Sequence, residues 1–138
     1  MKVNFEIITS TEIGYDGRHL DLHNNFAVSR FDYNIVERKL SIHLIKSQGD
    51  WVKEDELENI AFIHRNVSFL NSNFTNLTKF IDDDSCLEFI SYLPIKDRDI
   101  TDGFLNKSFP DEKDDIIYSF VNGQFIKINC EEVDLITF

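Results

Sequence analysis

The stretch IIYSFVNGQFIKI, residues 116–128, carries the clearest structural signal in the chain. Asn122-Gly123 separates two arms rich in isoleucine, phenylalanine and tyrosine, which favour strands. Asn-Gly between such arms is the strongest short-range signature of a β-hairpin with a type I′ turn, because that turn needs φ > 0 at both central residues. We therefore predict a two-residue turn that places Phe120 opposite Phe125.

A second hairpin is predicted upstream, where FAVSRFDYNIV (26–36) and KLSIHLIK (39–46) alternate apolar and polar residues. The apolar phase of the first arm shifts after Val28, and one extra residue would account for the shift. We therefore place a β-bulge near Ser29 and Arg30. The same alternation predicts further strands in the segments 3–7, 60–70, 86–93 and 133–138.

The stretches between these strands are polar or ambiguous. Residues 10–25 contain two glycines and several polar residues, so they are predicted to form a long loop. The segment NSNFTNLTKFI (71–81) has apolar residues at helical spacing and is predicted to form a short helix. Residues 94–115 hold both prolines and seven acidic residues, which predicts a long acidic loop with one helical turn.

About eight strands with hairpin links predict a mainly β protein, or more broadly an α+β protein. The expected architecture is a curled antiparallel sheet, a β-sandwich or a half-barrel, with one or two short helices. The 138 residues suffice for a single domain spanning 1–138, which can bury a core without cross-links.

The chain is strongly acidic, with 25 acidic residues against 14 basic ones and a formal net charge of -11. Such a field repels phosphate backbones and anionic membranes, so direct nucleic-acid or membrane binding is disfavoured. It attracts a basic partner, although acidity also serves solubility alone. The N-terminal residues lack the apolar run of a signal peptide, and the two cysteines lack metal-site spacing. We therefore expect a cytoplasmic protein with reduced thiols.

The stretch HLDLH (19–23) is the one hint of metal chemistry. If it is extended, His19, Asp21 and His23 share one face of a strand. A metal site needs three or four converging ligands. Asp16 or Asp32 could supply another, but nothing in the sequence shows that they converge with this face. We therefore predict no metal and no cofactor, and interpret the stretch as a polar loop held to the core by Leu20 and Leu22.

Catalytic motifs are not evident in the sequence. There is no GxSxG elbow, P-loop or GxGxxG fingerprint. Cys86 follows three aspartates, which would raise the pKa of its thiol and make it a poor nucleophile. We therefore predict no catalytic residue.

The strongest functional candidate is the acidic segment 82–115, which has eleven acidic and four basic residues, a net charge of -7. Loop carboxylates at the edge of a rigid sheet suit recognition of a basic protein. Phe104 and Phe109 are candidate aromatic contacts in the same region, unless they hold the loop to the core. The predicted partner-binding carboxylates are Asp82, Asp83, Asp84, Asp97, Asp99, Asp102, Asp111, Glu112 and Asp115.

Two segments carry a resemblance to a known family: LHNNFAVSRFDYNIVERKLSIHL (22–44) and IAFIHRNVSFL (60–70). Together they resemble the strand core of small β-rich bacterial immunity proteins from polymorphic-toxin and contact-dependent inhibition systems. The resemblance implies a protein that binds a cognate toxin domain and blocks it without chemistry of its own. Many such toxins are basic nucleases, which an acidic inhibitor suits. The resemblance carries over no toxin-binding residue.

We therefore predict a non-enzymatic cytoplasmic binding protein that occludes a basic, nuclease-like toxin domain. Two alternatives remain open at this point. One is a small-ligand-binding β domain whose curled sheet encloses an aromatic-lined pocket. The other is a metal-dependent enzyme that uses His19, Asp21 and His23.

Overall fold

The computed structural model describes residues 1–74 and 81–138, in which the fold is mainly β. One α-helix, α1 (Ile81–Ser85), and one 3₁₀ helix (Ile95–Asp97) accompany twelve strands in the described part of the chain. The strands are β1 (Lys2–Val3), β2 (Glu6–Ile7), β3 (Glu12–Tyr15), β4 (Arg18–Asp21), β5 (Phe26–Asn34), β6 (Lys39–Lys46), β7 (Asn59–Arg65), β8 (Phe69–Ser72), β9 (Leu87–Leu93), β10 (Asp115–Phe120), β11 (Phe125–Asn129) and β12 (Glu132–Thr137).

The strands form three sheets. The largest has the order β1-β12-β7-β6-β5, the second β8-β11-β10-β9, and the smallest β2-β3-β4. All the pairings are antiparallel except that of β1 with β12. The prediction of a mainly β, largely antiparallel fold is confirmed.

The two larger sheets pack face to face around one apolar core. The ring of Phe62 on β7 lies 5.4 Å from that of Tyr118 on β10 and 5.2 Å from that of Phe5, both edge-on. Edge-to-face packing of aromatic rings contributes about 0.5–1.5 kcal/mol per pair beyond the burial of their area. Because these rings meet between the sheets, the space there is filled by side chains.

The hairpin of residues 116–128 exists, but its register differs from the prediction by one residue. Ser119, not Phe120, pairs with Phe125. The backbone N–H of Gly123 donates to the carbonyl of Phe120 at 2.9 Å, and only Gly123, at φ 87°, is left-handed in this loop. The loop thus has three residues, a type I turn followed by a left-handed glycine, instead of the predicted type I′ turn.

The one-residue slip decides which face of the sheet Lys127 occupies. The predicted register would have paired Lys127 with Tyr118, whose side chain lies in the core between the sheets. In the structure Lys127 pairs with Ile117, which pairs in turn with Ser91. Because side chains alternate along a strand, Lys127 lies on the outer face of the four-stranded sheet.

A type I′ turn does occur, but at Asp16-Gly17. Both residues have positive φ, 49° and 73°, and they join β3 to β4. The prediction of a loop across residues 10–25 is therefore wrong. Asp-Gly is the same class of turn signal as Asn-Gly, since aspartate tolerates the left-handed conformation.

The β5–β6 hairpin and its bulge are confirmed. Val28 pairs with Leu44 and Arg30 with His43, so Ser29 is the extra residue. Beyond the bulge, the side chains from Ser29 to Asn34 are exposed.

Two predicted strands are each divided between sheets. Residues 3–7 split because the side-chain amide of Asn4 binds the backbone of Leu135, with Nδ2 donating at 3.0 Å and Oδ1 accepting at 2.7 Å. Residues 60–70 split at Asn66, whose φ of 55° turns the chain from β7 into β8. The predicted strands at 86–93 and 133–138 are confirmed as β9 and β12.

The predicted helix over 71–81 falls mostly on residues 75–80, which lie outside the described residues. Residues 71 and 72 belong to β8 instead. The predicted loop over 94–115 is confirmed with its single helical turn, except that Asp115 begins β10.

The substitution Gly123→Val is expected to lower the free energy of unfolding by about 1–3 kcal/mol, because a β-branched residue is strained at positive φ. A Cβ at this position would meet nothing within 4 Å, so the Cβ adds no clash to the backbone strain. Urea denaturation measures the loss. Gly123→Asn is the control and should recover most of the stability, since asparagine tolerates this conformation. Equal losses in both variants would contradict the argument.

Candidate functional site

The three polar residues of HLDLH are separated into different structural roles. Nε2 of His19, on β4, lies 2.6 Å from a carboxylate oxygen of Glu12 on the neighbouring strand. Asp21 accepts hydrogen bonds from the backbone N–H groups of His23, at 3.1 Å, and Asn24, at 2.9 Å. Its carboxylate therefore stabilises the turn after β4 and is not directed toward a shared site.

These contacts bear directly on the metal-enzyme alternative. Among the described residues, no three histidine, cysteine, aspartate or glutamate side chains are grouped so that they could hold a metal ion. Leu20 and Leu22 are fully buried in the core. The prediction that these two leucines hold the stretch to the core is confirmed.

Cys86 lies beside His23, but the pair lacks the geometry of a nucleophile and its base. Nδ1 of His23 lies 2.6 Å from the carbonyl oxygen of Leu87 and 3.4 Å from the Cys86 sulfur. A carbonyl only accepts, so Nδ1 carries the proton and cannot take one from the thiol. Burial, and then the charge of Asp83, raises the pKa of the Cys86 thiol. The thiol is therefore protonated at neutral pH.

The predicted acidic surface falls into two separate groups. Asp82, Asp83 and Asp84 lie on α1, just before β9, and Asp97 lies just after the end of β9. Because a seven-residue strand is about 20 Å long, Asp97 lies far from the three aspartates of α1 and belongs to a second group. The remaining exposed carboxylates belong to the second group, and they are Asp99, Asp102, Asp111 and Glu112.

Asp115 is fully buried and unavailable to a partner, which corrects the prediction for this residue. Its carboxylate accepts two hydrogen bonds from Arg98, at 2.9 and 3.1 Å, and one from Nδ2 of Asn129 at 2.9 Å. Asp111 is exposed but forms an ion pair with Lys107 at 2.6 Å. The charge of the second group is therefore partly compensated within the protein.

The loop of residues 94–114 covers the outer face of the four-stranded sheet and is held there by polar contacts. The ammonium group of Lys127 donates to the backbone carbonyls of Asp97, Arg98 and Ile100. Ser91 Oγ accepts from the backbone N–H of Leu105 at 3.0 Å. These contacts give this loop a structural role.

The two phenylalanines proposed as aromatic contacts lie in this loop. Phe104 is 37% exposed and Phe109 is 56% exposed. Neither ring is therefore buried in the core. The guanidinium carbon of Arg98 lies 4.0 Å from the ring centre of Phe69, so it is Arg98 that ties this loop to an aromatic side chain of the sheet.

A cleft that sequence reasoning missed lies beside α1. This Trp51 cleft, of about 520 Å³, is formed by residues 23–27 at the start of β5, by residues 45–51 at the end of β6 and after it, and by Asp82, Ser85 and Cys86. Trp51 is the sole tryptophan of the chain and is 67% exposed. Its Nε1–H donates to the carbonyl of Asn24 at 2.8 Å.

The ring of Trp51 packs onto Gly49. A Cβ at Gly49 would overlap the ring atoms, so this position has to lack a side chain for the ring to lie where it does. The hydrogen bond and this packing fix an aromatic ring that stays open to solvent. A lone tryptophan two residues after a glycine and next to acidic residues is the one sequence signal that pointed here.

The segments that flank the Trp51 cleft are acidic. Residues 46–58 and 82–88 together contain nine acidic and two basic residues, a net charge of -7. Lys46 ties the first segment to the cleft, because its ammonium group donates to the carbonyl of Glu54 at 3.2 Å and to the carboxylate of Glu58 at 3.4 Å. Asn25 Nδ2 donates to Glu56 at 3.1 Å.

A larger cleft of about 830 Å³ has mixed charge. It is lined by Lys2, Arg38 and Lys113 together with Glu112 and Glu131. Cys130 also lines this cleft, and burial raises the pKa of its thiol to about 12. This cleft therefore offers neither a field of one sign nor a reactive thiol.

Comparison of the chain with protein-family models, with curated proteins and with solved structures finds no match. Across residues 1–74 and 81–138, no helix is long and apolar enough to span a membrane.

Proposed function

We propose that this protein is a binding module without catalytic chemistry, which docks its acidic surface on a basic protein and occludes it. The resemblance of residues 22–44 and 60–70 suggests the specific form: a bacterial immunity protein that masks a basic, nuclease-like toxin domain in the cytoplasm. The observation that carries the proposal is the net charge of -7 in the segments flanking the Trp51 cleft.

Part of the negative charge around this cleft is not balanced by a described cation, although Glu58 pairs with Lys46 at 3.4 Å. Asp50, Asp82 and Asp83 form no ion pair with any described residue, whereas Asp111, Asp114 and Asp115 elsewhere do. Exposed charges of one sign raise the association rate of an oppositely charged partner and exclude partners of like charge. An acidic surface that served solubility alone would not need an exposed and fixed tryptophan among its carboxylates.

The ligand-carrier alternative is less well supported. A carrier needs an enclosed apolar pocket. Here the rings of Phe5, Phe62 and Tyr118 meet between the sheets, where such a pocket would have to lie.

The test is binding to the product of the neighbouring gene, measured as association and dissociation rates at two salt concentrations. Changing Asp82, Asp83 and Asp84 together to asparagine keeps their shape and removes three charges. We expect association about tenfold slower at low salt, with a difference that shrinks as salt rises. The dissociation rate of the complex should change less, and the variant should protect cells less well against the toxin.

The matched control removes three charges from the second acidic group, with Asp99→Asn, Asp102→Asn and Glu112→Gln in one variant. Glu54, Asp55 and Glu56 are also three consecutive acidic residues, but changing them would not be a matched control, because Glu54 and Glu56 contact residues beside the cleft. Equal slowing by both triple variants would mean that the overall field acts without a local contact. Failure of the unmodified protein to bind any neighbouring gene product would refute the immunity function.

A further inference from the structure

The Trp51 ring is preorganised for an aromatic contact. It is 67% exposed, yet its Nε1–H bonds the carbonyl of Asn24 and its ring packs onto Gly49. An exposed side chain usually samples several rotamers, and fixing it on binding costs free energy. Because these contacts already fix the ring, a partner that stacks on it loses less entropy.

The lining of the Trp51 cleft matches one kind of side chain. Ile45, 45% exposed, supplies apolar surface, and Asp82 supplies a carboxylate that forms no ion pair with a described residue. Among the described residues that line the cleft, Lys46 is the one lysine or arginine, and it is engaged by Glu54 and Glu58. A long side chain with apolar methylenes and a planar cationic end would contact the Trp51 ring, the apolar surface of Ile45 and the carboxylate of Asp82.

We propose that the Trp51 cleft binds an arginine side chain presented by a basic protein partner. This inference rests on the proposed function and names the contact at its centre. The guanidinium plane stacks on the Trp51 ring and donates to the carboxylate of Asp82, while the methylenes contact Ile45. Arginine suits the site better than lysine, because its planar group stacks on aromatic rings and pairs with carboxylates in a fixed geometry.

The first experiment uses a short synthetic peptide with two arginines separated by glycine. Because Trp51 is the sole tryptophan, its fluorescence reports directly on occupancy of the cleft. We expect a saturable change of emission at low salt. The same peptide with citrulline, a neutral analogue of similar shape, should give no saturable change. Equal responses to both peptides would overturn the proposal.

Variants then test which side chains bind the peptide, with calorimetry as the readout. Trp51→Ala and Asp82→Asn should each weaken arginine-peptide binding by about 3- to 30-fold. Gly49→Ala keeps the tryptophan but displaces its ring, and should weaken binding as well. Phe109→Ala, which removes an exposed ring from the loop 94–114, is the control and should bind like the unmodified protein. Unchanged binding by Trp51→Ala would overturn the proposal.

A final comparison separates this inference from the proposed function. If the neighbouring gene product binds the unmodified protein and Trp51→Ala equally well, the arginine contact is refuted and the immunity function stands. If the arginine peptide binds but no neighbouring gene product does, the cleft's preference stands and the immunity function is refuted.

Discussion

Replacing Arg98 with alanine should lower the free energy of unfolding by about 3–5 kcal/mol, the usual cost of leaving one charge of a buried pair without its partner. Asp115 is fully buried, and both of its carboxylate oxygens accept from the Arg98 guanidinium. Among the described side chains, Asn129 is then the one that still donates a hydrogen bond to this carboxylate. Urea denaturation at neutral pH measures the loss.

Two further variants make this prediction specific. Lys96→Ala removes an exposed cation from the adjacent 3₁₀ helix and should change stability by less than about 0.5 kcal/mol. Adding Asp115→Asn to Arg98→Ala removes the unpaired charge and should restore part of the lost stability, which appears as a coupling energy in a double-mutant cycle. A purely additive cycle would contradict the ion-pair explanation.

The second large effect is a loss of stability at acidic pH caused by His64. Its ring is fully buried, with Nδ1 at 2.9 Å from the carbonyl of Leu40 and Nε2 at 2.9 Å from the hydroxyl of Tyr118. Burial lowers the pKa of His64 from 6.5 to about 4. The unfolded chain therefore binds more protons than the folded one between these pH values, so stability falls as pH falls through this window.

The free energy of unfolding should be about 3 kcal/mol lower at pH 4 than at pH 7 because of His64 alone. Burial also lowers the pKa of His43, which adds to the loss in the same direction. Denaturation across this pH range measures the dependence. The double variant His64→Leu with Tyr118→Phe removes both bonded polar groups, and its stability should depend less on pH. An unchanged pH dependence would assign the effect to other groups.

The elements predicted correctly from the sequence are those whose signals lie within a few neighbouring residues. The predictions were wrong where contacts with residues far along the chain determine the local structure. The β5–β6 hairpin and its bulge follow from the phase of the apolar residues alone. Asn-Gly at 122–123 favours a two-residue loop, but it is also compatible with a three-residue loop, because glycine can take the left-handed position that follows a type I turn. The three-residue loop is accompanied by other contacts. Nδ2 of Asn122 donates to the carboxylate of Asp84 at 2.8 Å, and its Oδ1 accepts from the backbone N–H of Gln124 at 2.8 Å.

The candidate site was only partly predictable for the same reason. The acidic segment near α1 is visible in the sequence, but the Trp51 cleft joins three segments that lie far apart along the chain. Asp115 follows another aspartate, so the sequence suggested that it belongs to an exposed acidic loop. Asp115 is instead the first residue of β10, and the alternation of side chains along this strand directs it to the outer face that the loop covers. There its carboxylate accepts a hydrogen bond from Arg98.

The position of β12 has a consequence for how the chain folds during synthesis. β12 lies between β1 and β7, and Asn4 bonds the backbone of Leu135 within it. β1 therefore cannot join the large sheet until β12 has left the ribosome. The 66 residues between β7 and β12 take about 3–13 s to translate at typical rates. For that time the nascent chain presents the bare edge of β7, and strand edges of this kind are where chaperones or neighbouring nascent chains bind.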